Sequence, residues 1–526
     1  MNMKVHLRKG FVVPPIRTVI IILILVAVAI AAVLIWQAVK PSASEVPAPD
    51  YWPTTGWRSS TPEAQGIDSD KLTELLLAIR EKNIQVHSLL VIRNGYVVTN
   101  ATFYPYDGQT VHNVASVTKS FMTTLIGIAA DQGKLDLDDK MVSFFPNRTI
   151  ADLDPRKQDI TVRHLVGMSS GLDCAAEPDE PTLKEMEGSP DWVQFALDRK
   201  VVWEPGQQFM YCSPAIHLLS PILQQATGMT TLDFARQYLF EPLGFGDVMW
   251  PQDPQGYYDG WSDVSLHPHD MAKLGFLFLH QGQWEGRQIV SPEWVEEAIS
   301  AHMTETDDDP YGYGWWIDPA VESGFRASGR GGQRIVVLPE WDMVVVTTGG
   351  GFELNEIAEP IVASFVDFEN PLPANPEGES RLQEAIKTVA QPPEPQPNAS
   401  LPEIARMISD KTYVFDPNPA GLESSVLVFD GTSEATAFIQ FSGRPLGSVP
   451  VGLDGVYRFS PGPDGRTQGY RGAWTDPQTF LLEYDGITNN DHAFLQFRFE
   501  GDRVEVSLQE TAHEVGVQFA GRLQQP

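Results

Sequence analysis

The chain has 526 residues, 42% of them hydrophobic and 20% charged, with 69 acidic against 37 basic side chains and a formal net charge of -32. That length exceeds one ordinary core and predicts two or three domains, and the composition excludes a disordered chain. The acidity excludes a phosphate-backbone partner, so no nucleic-acid role is expected, and it reads as a well-hydrated surface.

Lys4, Arg8, Lys9 and Arg17 precede the first acid, Glu45, and no charged residue lies between Thr18 and Trp36. Such a run, at ~1.5 Å per residue, nearly crosses a hydrocarbon core. The expectation is a cytoplasmic basic segment at 1–17 and a single-pass transmembrane helix at 18–37, with the rest of the chain outside the cytoplasm. A cleaved signal peptide, with Ser42-Ala43-Ser44 as its processing site, is the competing reading. Residues 38–54 hold Pro41, Pro47, Pro49 and Pro53 and read as a tether.

Residues 68–82 place Leu72, Leu75, Leu76 and Ile79 at helical spacing. Residues 88–92 read as a strand, Arg93-Asn94-Gly95-Tyr96 as a hairpin turn and 97–99 as the partner strand. Ser116-Val117-Thr118-Lys119 then opens a helix-like stretch through Ala130. Helical positions three apart share a face, so the Ser116 hydroxyl and the Lys119 amine can meet. A partly desolvated amine can be neutral near pH 7 and take the hydroxyl proton, which makes a serine nucleophile without a histidine. In a chain this long an S-x-x-K tetrapeptide arises by chance about once, so its weight depends on the remaining sequence.

The middle of the chain is loop-rich and helical, with helices expected over 192–199, 216–226 and 231–238. Residues 311–317 look like a strand entry, and 334–338 and 343–348 are β-branched runs joined by Pro339-Glu340-Trp341-Asp342. These late strands are expected to complete the sheet begun at Ser88. Residues 369–400 read as a Pro-rich linker with a short helix near 381–389. From 401 to 526, short alternating segments parted by Gly, Asp and Asn turns predict an antiparallel β barrel or sandwich whose aromatics are mostly core.

Cys174 and Cys212 are the only cysteines. A disulfide between them and two buried free thiols both remain open. His267-Pro268-His269-Asp270 opens a helical stretch, so Asp270 is read as a dipole-favoured acid rather than a metal ligand, and no metal is expected.

Three separated elements share one order: Ser116/Lys119, then Tyr211-Cys212-Ser213, then Gly329-Arg330-Gly331-Gly332-Gln333 before a strand. This resembles the serine β-lactamase/penicillin-binding protein superfamily, with its S-x-x-K, Y-x-N or S-x-N, and K-T-G or H-x-G motifs. The likeness is closer to the class C β-lactamase-related esterases, amidohydrolases and D-aminopeptidases, and within these to 6-aminohexanoate-dimer hydrolase-like enzymes. His112-Asn113-Val114-Ala115, residues 165–172 and Tyr313-Gly314-Trp315-Trp316 support it. The resemblance covers roughly 55–368, the expected catalytic domain, and implies an α/β (α+β) three-layer fold with an antiparallel sheet.

By motif position, the resemblance implies that Ser116 attacks a carbonyl and that Lys119 or Tyr211 takes its proton. The N–H groups of Ser116 and Gln333 are the implied oxyanion donors, and Gly331 and Gly332 are expected to leave the strand edge open to substrate. Ser213 stands where an Asn is usual, which removes an amide that would grip an acyl side chain, and is expected among the substrate-binding residues. Arg330 stands where Lys or His is usual, cannot shuttle protons, and is expected either to hold a substrate carboxylate or to pair with a nearby acid. The expected function is therefore a membrane-anchored, extracytoplasmic serine hydrolase acting on a small ester, amide or D-amino-acid peptide, without metal or organic cofactor. The alternative is a β-lactamase-like sensor or wall-binding protein that acylates without turnover.

Overall fold

Asn94 and Gly95 have φ angles of 49° and 77°, the left-handed pair that a two-residue hairpin turn needs. They join the strands Val86–Arg93 and Tyr96–Thr102, with Arg93 opposite Tyr96. A second hairpin joins Gln333–Leu338 to Met343–Gly349 through Pro339–Trp341 and a left-handed Asp342. Met343–Gly349 pairs antiparallel with Val86–Arg93, so the late strands complete the early sheet across some 250 residues of intervening chain. In the computed structural model these elements belong to one unit, Ala48–Pro526. The structure describes residues 49–525 apart from 176–179, 305–309, 319–322, 397–399, 432, 444–446, 463–464 and 513–514.

Among the described residues this first sheet has nine strands. From Met343–Gly349 it continues through Gln333–Leu338 and Phe325–Gly329 to three two-residue strands at one edge. Every pairing is antiparallel except that of Arg58–Ser59 with Tyr96–Thr102 at the other edge. Leu89, Val91 and Val345 point to one face and pack against Leu72 and Leu76 of the helix Ser69–Glu81, Ile357 and Ile361 of Asn355–Ser364, and Leu382 of Pro376–Val389. The opposite face carries the helices Val117–Asp131 and Pro268–Leu279. Pro268–Leu279 lies so close that a Cβ on Gly275 would come within 2.7 Å of Ile335 and 2.9 Å of Val344. The result is three layers with an antiparallel sheet in the middle.

The helix Pro376–Val389 contains the short helix expected near 381–389, begins five residues earlier, and packs as core rather than as linker. Its prolines and charges read as connecting chain, yet Asn375 caps it by accepting from Gly378 N at 3.0 Å and Pro376 occupies the first turn. Leu382, Ala385 and Val389 are buried in the same core as Leu72 and Ile79. Arg381 clamps Asp70 with two hydrogen bonds of 2.8 and 3.0 Å. The three-layer region therefore runs past 368 to Val389, because an amphipathic stripe outweighs a Pro-rich context.

The second sheet holds ten strands between Lys411 and Leu523 among the described residues. It closes on itself where Gly452 meets Arg471, so the C-terminal region is a barrel rather than a sandwich. Phe429, Trp474, Phe480 and Phe499 pack edge-on or tilted against one another at one end of its interior.

The membrane expectation is corrected. No helix among the described residues is long and apolar enough to cross a membrane, and residues 18–37, on which the single-pass placement rested, lie outside the described residues.

Leu382→Ala should lower global stability by about 2–5 kcal/mol, the cost of emptying a filled core site. Urea unfolding checks this. A change below ~0.5 kcal/mol would return the segment to the status of a linker.

Candidate active site

Val117 through Ala129 are all buried, so the helix Val117–Asp131 is held on every side and its first turn is a rigid platform. Ser116 occupies the N-cap position, where a serine usually bonds the free N–H groups of the first turn. Here its side chain makes no capping bond. Its Oγ instead lies 2.8 Å from the Lys119 Nζ, one helical turn on. Lys119 is 2% exposed, donates to the Trp261 carbonyl at 3.0 Å, and sits 4.7 Å from the centre of the Tyr211 ring. Burial pushes the Lys119 amine down to about 8, against the opposing pull of Glu180 and Asp263.

The turn before Ser116 is constrained from both ends. Ala115 has φ 46°, a left-handed conformation that an L-residue adopts at a cost of about 1–3 kcal/mol. Asn113 holds it there: its Oδ1 accepts from Ala115 N at 2.7 Å, and its Nδ2 donates to Asp263 Oδ1 at 2.8 Å. Gly329 closes the far side. A Cβ on it would stand 2.5 Å from the Val114 carbonyl and 3.1 Å from the Ser116 nitrogen. The Ser116 N–H and the turn Arg330–Gly332 are thereby brought to the same place.

Gln333, fully buried, ties that turn to its neighbour strand. Its Nε2 donates to the Arg330 carbonyl at 3.1 Å and the Gly349 carbonyl at 2.6 Å, while its Oε1 accepts from Gly349 N at 3.1 Å. Gly331 and Gly332 have φ of 79° and 96°, so both need to be glycine. Their expected role is corrected: the space a Cβ would take is filled by Asn490 at Gly331 and by the Phe352 ring at Gly332, not left open for substrate. Arg330 takes the second of its two expected roles, pairing with a nearby acid. Its Nη2 donates to Asn490 Oδ1 at 2.8 Å and Asp491 Oδ1 at 3.1 Å, so its charge is met by an acid of the barrel.

Tyr211 stacks on Trp316 at 6.3 Å between centroids and lies in the field of the half-buried Arg334 guanidinium. The loop carrying it is fastened to residues 168–171 by Met210 N donating to the Met168 carbonyl at 2.8 Å and Gly206 N to the Ser169 carbonyl at 2.8 Å. Cys212 is disulfide-bonded to Cys174, with their Cα atoms 5.6 Å apart, which adds a covalent brace next to Tyr211. Ser213 is fully buried at the start of the helix Ser213–His217, with no partner for its hydroxyl, and presents no surface to a substrate. Its expected place among substrate contacts is corrected accordingly.

Sequence reasoning missed Asn113, Trp261, Asp263 and Arg334. Trp261 acts through its backbone carbonyl, which carries no residue signal, and the Asn113–Asp263 bond spans 150 residues. It also missed the barrel loop. Asn113 N donates to the Thr488 carbonyl at 2.9 Å, and Thr511 Oγ1 donates to the Gly350 carbonyl at 2.7 Å, so the barrel braces both turns that flank Ser116. Behind this contact, His87 and His112 are buried with their ring nitrogens 2.9 Å apart, and burial pushes both below the usual histidine range, so they are neutral.

Among the described residues no group of three or more His, Cys, Asp or Glu side chains is arranged to hold a metal ion. Asp270 instead pairs with Lys273 at 2.9 Å and accepts from Gly246 N at 3.0 Å.

The family model for beta-lactamase matches residues 71–356, more than half of the chain. The chain belongs to the beta-lactamase family, and its function is of the hydrolase type that this family carries. It is 24% identical over 316 residues to the 6-aminohexanoate-dimer hydrolase of Paenarthrobacter ureafaciens, covering 55% of this chain and 79% of the relative. It is 23% identical over 270 residues to penicillin-binding protein 4* of Bacillus subtilis strain 168, covering 43% of this chain and 57% of that relative. Among solved structures, the octameric penicillin-binding protein homologue from Pyrococcus abyssi aligns over 86% of this chain and 99% of its own, at 17% identity and a TM-score of 0.47.

Thiol titration of the unfolded, unreduced chain should find no free thiol, since both cysteines are bonded. Cys174→Ser should cost about 3–4 kcal/mol for a loop of 38 residues, read from urea unfolding with and without reductant. Two free thiols in the native protein would contradict the pairing.

Proposed function

We propose that the protein is a serine hydrolase that cleaves a carboxylic ester or short amide through an acyl-Ser116 intermediate. The observation that carries this reading is the Ser116 Oγ to Lys119 Nζ contact of 2.8 Å, with a buried lysine whose pKa falls to about 8. A neutral amine donates to the Trp261 carbonyl and keeps its lone pair for the serine proton.

In the first step Ser116 Oγ bonds to the substrate carbonyl carbon and its proton passes to Lys119. The N–H groups of Ser116 and Gln333 stabilise the negative oxygen of the tetrahedral intermediate. Tyr211, between Lys119 and the Arg334 charge, relays a proton to the leaving alcohol or amine. Water then attacks the acyl-serine ester, with the Lys119/Tyr211 pair as base, and the acid leaves. The relative named 6-aminohexanoate-dimer hydrolase supports the amide arm of this substrate range. With Arg330 paired to Asp491, an anionic group beside the scissile bond has no free guanidinium to grip, which favours a neutral substrate.

A fluorophosphonate should label the wild type at Ser116, and Ser116→Ala should abolish labelling. Lys119→Ala should slow it by about 10²–10⁴-fold. The reactive form is the neutral amine, so about a tenth of the protein is competent at pH 7, and the labelling rate should rise with pH and level off above about 8. Labelling that persists in Ser116→Ala, or a rate that is flat from pH 6 to 9, would sink the assignment. Labelling without turnover on ester and amide panels would mark a sensor instead.

A further inference from the structure

The barrel interior is filled at one end only. Along four of its strands the inward-facing residues run from fully buried to half-buried in the same direction. Ala435 and Ala437 are packed whereas Ile439 and Phe441 are not, Phe480 and Leu482 whereas Tyr484 is not, Phe497 and Leu495 whereas Ala493 is not, and Val504 and Val506 whereas Leu508 is not. Period-two alternation puts each set on one face of its strand, so among the described residues these are inward positions that are only partly covered. They surround a cavity of about 820 Å³, lined chiefly by Ile439, Val449, Tyr470, Leu482, Leu495 and Leu508. The floor is the aromatic cluster of Phe429, Trp474 and Phe480.

The open end of this cavity is shared with the catalytic turns. Asn489 and Asp491 line it, and Asp491 is also the acid that accepts from Arg330 at 3.1 Å. In the same loop Asn490 fills the space beside Gly331, and the Thr488 carbonyl accepts from Asn113, three residues before Ser116. A deep apolar cavity with a few polar groups at its mouth is the form of a small-molecule site. Here those groups are Gln468, which accepts from the Tyr470 hydroxyl at 2.8 Å, and the acids Asp491 and Glu510. Asp491 already accepts from Arg330, so that guanidinium is not free for an anionic head group.

We propose that the barrel cavity holds the hydrocarbon chain of the substrate, an unbranched alkyl or acyl chain whose neutral ester or amide group emerges at the loop 488–491 beside Ser116. This rests on the assignment of Ser116 as nucleophile. Each methylene that enters the cavity contributes up to about a fourfold gain, equivalent to ~0.8 kcal/mol.

The test uses the full chain, p-nitrophenyl esters from acetate to dodecanoate, and the neutral apolar dye N-phenyl-1-naphthylamine. Ile439→Trp fills the cavity and Leu508→Glu charges it, and neither touches the catalytic turns. The wild type should bind the dye, release it to decan-1-ol, and raise kcat/KM at least tenfold from butanoate to octanoate. Both variants should lose dye binding and the chain-length gain while keeping acetate hydrolysis, which also shows that they fold. No dye binding by the wild type would overturn the proposal. So would dye binding with a chain-length profile as flat as that of the variants. If even acetate is not cleaved while the dye is bound and displaced, the nucleophile assignment has failed rather than the cavity.

Discussion

The arrangement depends on keeping one amine dry. Lys119 is 2% exposed, and it sits in the first turn of a helix, where the positive end of the macrodipole disfavours a cation. Burial and dipole act in the same direction, and the amine answers by holding its proton less tightly, down to about 8. Two acids, Glu180 and Asp263, resist that shift. Burial wins because the nearest groups are uncharged: a hydroxyl, a peptide carbonyl and an aromatic face. The same burial explains why the serine does not cap its own helix. A dry amine 2.8 Å away is a stronger partner for the hydroxyl than N–H groups that the helix can leave to other acceptors.

The surrounding charge is arranged so that this neutral amine is not swamped by a chain of net charge -32. Asp259 is pushed up to about 9 by burial and by its neighbours Asp263, Asp253 and Glu187, so it is protonated at neutral pH. Asp263 is left to bond Asn113. Arg330 and Asp491 neutralise each other at the barrel contact, and the half-buried Arg334 acts on Tyr211 through its field. A negative protein thus keeps its reaction centre close to neutral, which suits a mechanism whose developing charge is to be held by backbone N–H groups.

What could be read from the sequence was local. Asn94-Gly95 requires a tight hairpin, Asp68 caps its helix by accepting from Asp70 N at 2.9 Å, and Phe, Leu and Val at alternate positions require inward faces in the barrel. Ser116 and Lys119 were legible for the same reason, because three residues on a helix fix their distance. The rest is contact at long range. The acid that meets Arg330 lies 161 residues away, and the carbonyl that holds Lys119 lies 142 residues away. Gly331 and Gly332 were read as facing substrate, whereas Asn490 and Phe352 stand there, since a glycine announces a close approach without saying what approaches. The helix near 381–389 was legible, but its first turn was obscured by proline, although Pro376 is a helix-starting residue in that position.

The barrel changes how the site as a whole should be understood. A loop that only joined two barrel strands would be free to vary, yet residues 488–491 touch the turn before Ser116 and the turn before Gln333 at once. The separation of the two backbone N–H groups proposed for the oxyanion is set by those two turns, and rate depends steeply on such a separation because donors must meet the charge as it develops. Asp485 and His492 frame this loop and are both buried, with His492 Nε2 3.0 Å from Glu483 and Glu483 clamped by Arg471 at 2.7 and 2.8 Å. The charge-assisted bonds of Glu483 with Arg471 and His492 fix the strand ends beside the loop, while Asp485 Oδ2 and Thr488 Oγ1 have no partner among the described residues. The barrel is therefore best regarded as part of the wall of the active site, so that whatever occupies its open end is placed against the reacting groups.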